Sequence, residues 1–212
     1  SGQNINSYTI DAKLNSEDKT IEIYQIMKFK NTSNIPLNEI FLEDWSNSYL
    51  DNTTSLAKRI SDEYSRSFSF AQKKQRGSSS INNIKSNNIE TWERLDDALD
   101  IIKVNLIKPI STGGSIEIEI YYSIKLPDSK FTGYGYDDDN FYLKNWLIVF
   151  SNISNSIWYN QSNLNLDDQS LQKAGYKLKI SFDEDLHLFS NLIKNNTEVS
   201  NNIKTVFLSG TE

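Results

Sequence analysis

The chain has 212 residues, no cysteine, a formal net charge of −6 and a sequence pI of about 4.9. The lack of cysteine excludes disulfide bonds, thiolate nucleophiles and cysteine-ligated zinc, and the acidic balance makes a nucleic-acid partner unexpected. No apolar run approaches the ~18 residues of a membrane span, so we expect none, whereas the length is ample for a buried core.

Alternating apolar and polar side chains predict strands at the start of the chain. The alternation over residues 8–14 predicts a first strand, and that over residues 21–29 predicts a second. The polar residues 15–19 between them are typical of a turn, so we expect a hairpin. Pro36 then leads into a third predicted strand over residues 40–45.

The period of the apolar residues changes after Asn52. They now recur every three or four positions, at Leu56, Ile60, Tyr64, Phe68 and Ala71. This spacing predicts an inserted amphipathic helix over about residues 53–76, with N-cap residues at 53–55 and a stop at Gly77.

The next part of the chain contains the clearest strand signal. The Ser- and Asn-rich residues 77–88 predict a loop or a weakly ordered hairpin, and residues 89–92 and 102–106 predict short strands. In residues 115–124 isoleucines alternate with polar residues, which predicts a strand with one buried and one wet face. The Gly113-Gly114 turn before it favours a hairpin with the preceding strand.

The last third of the chain predicts further strands. Residues 141–150 contain two short β-prone runs, and residues 151–163 are a polar connection around Trp158. Clean alternation over 176–182 and an apolar run over 203–208 predict two more strands. We therefore expect a mainly β fold, an antiparallel β-sandwich with one inserted amphipathic helix. Ser1-Gly2 is typical of a tag remnant.

Candidate catalytic and metal-binding residues are few. His187 is the only histidine, whereas a zinc site of the H-E-x-x-H type needs two, so we interpret it as an ordinary histidine. Asp137–Asp139 could bind calcium, but a solvated turn is the favoured interpretation. Paired carboxylates among Asp96, Asp97 and Asp100 could perform glycoside chemistry, but a polar turn is again favoured.

Several segments, in order, resemble the gluzincin zinc aminopeptidases, the aminopeptidase N family. They are Tyr-Thr-Ile-Asp-Ala-Lys-Leu-Asn at 8–15, Lys-Phe-Lys-Asn-Thr-Ser-Asn-Ile-Pro-Leu at 28–37, Asp-Trp-Ser-Asn-Ser-Tyr at 44–49 and Lys-Phe-Thr-Gly-Tyr-Gly-Tyr at 130–136. The second half adds the order of strand, Gly-Gly turn, alternating strand, Leu-Pro, Gly-rich turn and Leu-x-x-Trp. The details resemble a Bacteroidetes-like branch, and the similarity extends from Tyr8 to about Leu208.

The resemblance implies that residues 1–212 are a single, saddle-like N-terminal β domain without catalytic residues. In the family this domain packs on a C-terminal catalytic domain of the same chain, which holds zinc, and helps to wall the peptide cleft. No zinc is then expected in this chain, and peptide substrate is contacted only at that cleft. Localisation is left open, although export to a bacterial periplasm or surface suits the resemblance.

One residue inherits a possible substrate contact from the resemblance. A Gln just before the Trp-Tyr-Pro-like segment of the family often helps to bind the amino terminus of the substrate. Asn145, before Trp146, stands at the matching position with a shorter side chain, and the Pro is absent. The alternative functions are a free-standing carbohydrate- or peptide-binding β-sandwich that uses Trp92 and Trp158 for stacking, and, ranked last, a hydrolase built on the Asp96 or His187 groups.

Overall fold

Strands form wherever the sequence alternates apolar and polar side chains, and they build a mainly β, sandwich-like fold. The computed structural model describes residues 5–63, 66–166 and 168–211; Ser1-Gly2 and Tyr64 of the sequence predictions lie outside them. In chain order the strands are β1 (Asn6–Asn15), β2 (Thr20–Lys30), β3 (Leu37–Glu43), β4 (Ser78–Lys85), β5 (Ile89–Leu95), β6 (Ala98–Ile110), β7 (Ser115–Lys125), β8 (Gly135–Asp137), β9 (Asn140–Tyr142), β10 (Val149–Phe150), β11 (Asn152–Ser154), β12 (Ile157–Tyr159), β13 (Ala174–Asp183), β14 (Ile193–Ser200) and β15 (Ile203–Thr211).

The larger sheet has seven strands in the order β14-β15-β13-β1-β2-β7-β4. Its neighbours are antiparallel except for β1 and β13, which run parallel from the pair Asn6 and Ala174 onward. The hairpin predicted for β1 and β2 is confirmed. The isoleucines of β7 face inward and are buried, and its alternate residues face solvent, so the predicted wet and dry faces are confirmed as well.

The smaller sheet has four strands in the order β10-β3-β6-β5, all antiparallel. Ile40 and Leu42 of β3 and Ile102 and Val104 of β6 are fully buried. They belong to one apolar cluster with the buried side chains of the larger sheet. Burial of this cluster between the sheets is the main stabilising contribution.

The hairpin predicted at Gly113-Gly114 is wrong. β6 belongs to the smaller sheet and β7 to the larger one, so the turn carries the chain from one sheet to the other. Asn31, just after β2, holds this turn by donating its backbone N–H to Gly114 O at 2.9 Å and accepting from Gly113 N at 2.8 Å. Its side chain also donates to Ile110 O at 2.9 Å.

The inserted helix is real but shorter than predicted. The helix α1 covers Ser55–Asp62, and the hydroxyl of Thr54 caps it by accepting from Ala57 N at 3.2 Å. Residues 66–70 form a turn instead of more helix, and Phe68 is buried there by packing edge-on against Phe131. Short 3-10 helices lie at Trp45–Tyr49, Lys73–Gln75 and Ser129–Phe131. Within the described ranges no helix has the length and apolar character to cross a membrane.

Four strands, β8, β11, β12 and β14, were not predicted, and β4 was expected only as part of a loop or a weakly ordered hairpin. β4 lies in the Ser- and Asn-rich stretch, the polar connection around Trp158 is the hairpin of β11 and β12, and β14 is an edge strand. All eight residues of β14 are exposed, and a bulge between Lys194 and Asn196 interrupts its register with β15. Neither β4 nor β14 has the apolar alternation that marks the central strands, because each needs to cover little core.

Candidate functional site

Two consecutive acidic residues lie inside the molecule, Glu43 at the end of β3 and Asp44 directly after it. Asp44 is fully buried, and its backbone N–H donates to Asp100 O at 2.8 Å. One of its carboxylate oxygens accepts from Arg94 Nη2 at 2.7 Å and from the Ser79 hydroxyl, and the other has no hydrogen-bond partner among the described residues. Arg94 therefore neutralises a charge that the interior could not otherwise hold.

The 3-10 helix that follows β3 connects this polar interior to two neighbouring loops. All five of its residues, Trp45–Tyr49, are buried. The Trp45 indole N–H donates to Gln161 O at 2.7 Å, and the Ser46 hydroxyl donates to Trp146 O at 3.1 Å. The chain around Trp146 and the chain around Gln161 are thereby held on either side of one helix turn.

The irregular chain at residues 161–170, here called the 161–170 segment, is held by buried carboxylates from the framework. Glu43 accepts from Gln161 N at 3.0 Å and from Gln169 Nε2 at 2.8 Å. Asp100 accepts from the Ser162 hydroxyl and from Asn163 N, both at 2.8 Å. Both carboxylates are buried, Glu43 on β3 and Asp100 on the adjacent β6.

Burial changes the acidity of both groups. It raises the pKa of Glu43 to about 7, although the hydrogen bonds from Gln169 and Gln161 act in the opposite direction. Burial also raises the pKa of Asp100, against the lowering effect of its bonds from Asn163, Ser162 and Ser48. The effect of burial on the pKa of Glu43 therefore outweighs that of its hydrogen bonds.

The surface above this network contains two adjoining depressions that share Lys144 and Asn145, and we call it the Asn145 surface. The inner depression, about 30 Å³, has a polar lining that includes Tyr49, Thr132 and Asn163. The outer depression, about 320 Å³, has the following apolar and amide side chains in its lining: Leu143, Trp146, Leu147, Val149, Gln169, Leu171, Tyr176, Leu188, Phe189 and Leu192.

Asn145 lies at the junction of the two depressions. Its backbone has φ of 50°, in the left-handed region that Asn tolerates better than most residues. Its half-buried side chain makes no hydrogen bond to any described residue. The amide therefore has a carbonyl acceptor and an N–H₂ donor available for a ligand.

The rim of the Asn145 surface is apolar and exposed. Phe189 is 92% exposed, and Leu171 is 37% exposed. Leu164 and Leu166 are exposed on either side of Asn165, which lines the inner depression. Such a concentration of exposed apolar side chains is typical of a surface that another protein or domain covers.

The other residues singled out in the sequence lie elsewhere. His187 is exposed in the loop between β13 and β14, and Asp96 and Asp97 are exposed in the turn between β5 and β6. Asp100 is separated from them and points into the interior, so the predicted polar turn ends before it. The described ranges contain no group of three or more His, Cys, Asp or Glu side chains that could hold a metal ion.

The Asp137–Asp139 cluster forms the exposed turn of the β8–β9 hairpin, as the favoured interpretation predicted. Asp138 has φ of 49°, and its backbone carbonyl accepts from Lys19 Nζ at 2.8 Å. The same Lys19 ammonium lies over the ring of Phe141 at 4.9 Å from its centroid. These contacts attach the hairpin to the β1–β2 turn.

Trp92 and Trp158 do not form a joint platform. Trp92 pairs with Val104 and so points to the inner side of the smaller sheet, where it lines a wide groove of about 1120 Å³. Trp158 packs against Phe29 at 5.7 Å and Phe41 at 5.9 Å between ring centroids. Phe41 pairs with the residue before Val104 and so faces the other side of that sheet.

Comparison with known proteins adds structural relatives only. No protein-family model matches the sequence, and no curated protein does. An M1 zinc metallopeptidase from Deinococcus radiodurans matches with a TM-score of 0.53 and 10% identity, over 98% of this chain and 39% of that chain. The fold is that of part of an M1 zinc metallopeptidase. This chain therefore spans about two fifths of the length of such structures.

Two further structures give the same result. A two-domain M1 zinc metallopeptidase mutant bound to L-arginine has a TM-score of 0.53 and 10% identity, over 98% of this chain and 40% of that one. A mutant of the Deinococcus radiodurans enzyme bound to a Tyr-Ser-Ala substrate has a TM-score of 0.52 and 11% identity, with the same coverage. At these identities the likeness establishes the fold and nothing more specific.

Sequence reasoning singled out Asn145, whose substrate contact stays a prediction, and missed the network of buried carboxylates. Glu43 and Asp44 were hidden in a predicted strand, and Asp100 in a predicted turn. The sequence offered no distinguishing signal for these carboxylates. Glu117 also stands beside apolar strand residues, and it is exposed.

Proposed function

We propose that the chain is the N-terminal, non-catalytic β domain of a zinc aminopeptidase-like metallopeptidase of the M1 type. In this role it packs against the catalytic domain of the same parent chain and forms one wall of the peptide cleft. The observation that carries the proposal is the match over 98% of this chain to only 39% of an M1 zinc metallopeptidase, which leaves room for a second domain.

The geometry of the Asn145 surface supports this role. Its exposed apolar rim, which includes Phe189, offers the kind of surface that a neighbouring domain covers. β15 ends nearby, because a side chain added at Gly210 would lie 2.8 Å from Leu192, which lines the outer depression. A catalytic domain joined to that end would begin beside the surface that it has to cover.

The described residues of this chain contain no zinc site. His187 is the only histidine and is exposed, and cysteine is absent. The described ranges contain no cluster of three or more His, Cys, Asp or Glu side chains that could bind a metal ion. We assign the zinc of the parent protein to the catalytic domain, where it would supply the Lewis acid of peptide hydrolysis. The contribution of this domain is to shape the cleft and exclude water from it.

Asn145 is proposed to contact the amino terminus of the bound peptide. Its side-chain carbonyl can accept a hydrogen bond from an ammonium group, and it has no competing partner within the described structure. The side chain lies where a polar inner depression meets an apolar outer one. The Asn145 carbonyl suits the amine of a peptide end, and the apolar outer depression suits its first side chain. Lys144, which lines both depressions, is paired with Asp168.

The first experiment measures the chain alone. The purified 212-residue chain is expected to cleave no aminoacyl-p-nitroanilide, with or without zinc, and zinc is expected to leave its melting temperature unchanged. Hydrolysis that survives repurification, or zinc stabilisation of several degrees, would contradict the assignment of catalysis and metal to another domain.

The second experiment measures the intact parent peptidase, which the gene's full reading frame identifies by H-E-x-x-H downstream. Asn145→Gly removes the amide while tolerating the positive φ, and Asn145→Asp keeps the shape. We expect the Gly variant to raise KM about tenfold with little change in kcat, consistent with the loss of one hydrogen bond to a charged amine. An unchanged KM in Asn145→Gly would remove Asn145 from the substrate site.

A free-standing binding module is the second candidate, and one observation favours it. The groove of about 1120 Å³ that Trp92 lines is large enough for a sugar chain or peptide, and Trp92 is 36% exposed there. The chain is screened on a glycan array. Binding that is lost in Trp92→Ala but kept in Trp158→Phe would favour this function over the peptidase domain.

A further inference from the structure

The described residues of the 161–170 segment, 161–166 and 168–170, are held by hydrogen bonds without regular secondary structure. In the described part of this segment no residue belongs to a helix or strand. Its backbone N–H groups at Gln161 and Asn163 donate to Glu43 and Asp100 instead of to a neighbouring strand. Two carboxylates therefore accept the backbone hydrogen bonds that a neighbouring strand would accept if this segment belonged to a β-sheet.

The hydrogen bonds that hold the segment form two groups, one at Glu43 and one at Asp100. Glu43 binds the beginning and the end of the segment, at Gln161 and Gln169, and Gln161 Oε1 accepts from Ser170 N at 2.8 Å to close the loop between them. Asp100 binds the residues just after the beginning, at Ser162 and Asn163. The exposed ion pair of Lys144 and Asp168, 2.8 Å long, adds little.

We propose that Glu43 and Asp100 form a latch that holds the 161–170 segment closed over the interior, and that proton binding at Glu43 controls how often the latch opens. The closed segment covers both carboxylates, whereas the open segment would expose them to water. The two states therefore differ in the environment of Glu43, which is the condition for coupling to pH.

The direction of the coupling follows from proton linkage. Glu43 has a pKa of about 7 in the closed state and would return toward the ordinary 4.5 when exposed. The closed state thus binds the proton more tightly, so its advantage is complete below about pH 4.5 and is lost as pH rises through 7. The closed segment is therefore favoured at acidic pH, and the open segment becomes more populated as the pH rises through 7.

The charged and titratable groups around Glu43 reinforce this direction. Asp100 on β6 raises the pKa of Glu43 by charge repulsion, and Tyr8 on β1 is the nearby phenol. Asp44, the residue directly after β3, is compensated by Arg94, which bonds to Asp44 and not to Glu43. The side chains and backbone groups that bond to Glu43, Gln161 and Gln169 among them, are neutral, so no described basic side chain compensates its charge.

The test is amide hydrogen exchange of the 212-residue chain between pH 5 and pH 8, corrected for intrinsic exchange rates. The equilibrium constant for opening of the segment is measured at the amides of Gln161 and Asn163. It is expected to rise on the order of 50-fold over this range, because Glu43 has a pKa of about 7 in the closed state and about 4.5 in the open one. Ile23 of β2, in the core of the larger sheet, serves as the internal reference and should show no such rise.

Matched variants separate the two halves of the latch. Glu43→Gln cannot ionise, and because Gln169 can turn its amide, the segment should stay closed with an opening constant that changes less than about threefold. Glu39→Gln removes an exposed carboxylate on the same strand, which pairs with Lys103 at 3.0 Å, and should keep the full rise. Asp100→Ala removes both acceptor oxygens and should raise opening roughly tenfold at every pH.

Three results would overturn the latch: a pH-independent opening constant in the wild type, a full rise in Glu43→Gln, or the same rise at Ile23, which would mean global unfolding. If Glu43→Gln does not fold, a carbon-13 NMR titration of the wild-type Glu43 carboxyl decides, since a pKa near 4.5 would also overturn it. The consequence for a peptide cleft rests on the proposed function, but the exchange test does not, so the two can fail separately.

Discussion

The larger sheet and the 161–170 segment represent two ways of fixing a polypeptide chain. In β1, β2 and β7 the backbone bonds are made strand to strand, and apolar side chains such as Ile118 lie fully buried on one face. In the 161–170 segment the backbone bonds to buried carboxylates, and few apolar side chains anchor it. The first arrangement depends on burial and is insensitive to pH, whereas the second depends on charge and hydrogen bonds.

The largest expected effect tests the sheet side of this comparison. Ile118→Ala empties a fully buried site between the sheets and should lower the free energy of unfolding by about 4 kcal/mol. Urea denaturation followed by tryptophan fluorescence measures it, with Ile107→Ala as the control. Ile107 is 57% exposed, so its replacement should cost less than about 0.5 kcal/mol. Similar losses in the two variants would mean that the core is placed wrongly.

The next effect tests charge in the interior. Arg94→Met leaves the Asp44 carboxylate buried without its cation and should lower the free energy of unfolding by about 3 kcal/mol. Adding Asp44→Asn removes the uncompensated charge and should restore at least half of the loss. If the double variant is no more stable than Arg94→Met, the ion pair does not explain the loss.

A smaller effect lies where the larger sheet meets the chain around Trp146. The Tyr122 hydroxyl donates to Gln25 Oε1 at 2.7 Å and accepts from Ile148 N at 3.2 Å, all within the interior. Tyr122→Phe leaves both partners unsatisfied and should cost about 2 kcal/mol in thermal or urea unfolding. The neighbouring Tyr121 is 46% exposed, so Tyr121→Phe should cost less than about 0.5 kcal/mol.

The smallest global effect is expected in the segment itself. Gln169→Ala removes one bond to Glu43 and should lower the free energy of unfolding by less than about 1 kcal/mol. The variant should have a larger local effect. The amide of Gln161 should exchange faster, whereas amide exchange in β2 should not change. Asp168→Asn, which breaks only an exposed ion pair, is the control. A global loss as large as that of Ile118→Ala would abolish the distinction between the two regions.

The same distinction explains which parts of the fold were predictable. In β1, β2, β7 and β13 apolar residues alternate with polar ones because one face is buried, so these strands and the β1–β2 hairpin were predicted from the sequence. β4 and β14 lack this alternation, because they are edge strands that cover little of the core. The helix was predicted too long because buried Phe68 continued its period while belonging to a turn.

Partnerships across long distances were not predictable. A Gly-Gly turn between two strands favours a hairpin, yet the carbonyl and N–H of Asn31 hold this turn at the boundary between sheets. The carboxylates that hold the 161–170 segment come from residues about 60 and 120 positions earlier in the chain. Only the position of Asn145 was available, through resemblance, and its substrate contact remains a proposal.

The parallel pairing of β1 with β13 has a topological consequence. Asn6 pairs with Ala174, and Gly175 pairs with Thr211, so β13 alone separates the beginning of β1 from the end of β15. The two ends are therefore about 10 Å apart, twice the spacing of neighbouring strands. A linker of a few residues would join them, which makes the fold suited to circular permutation and to insertion as a cassette into a host protein.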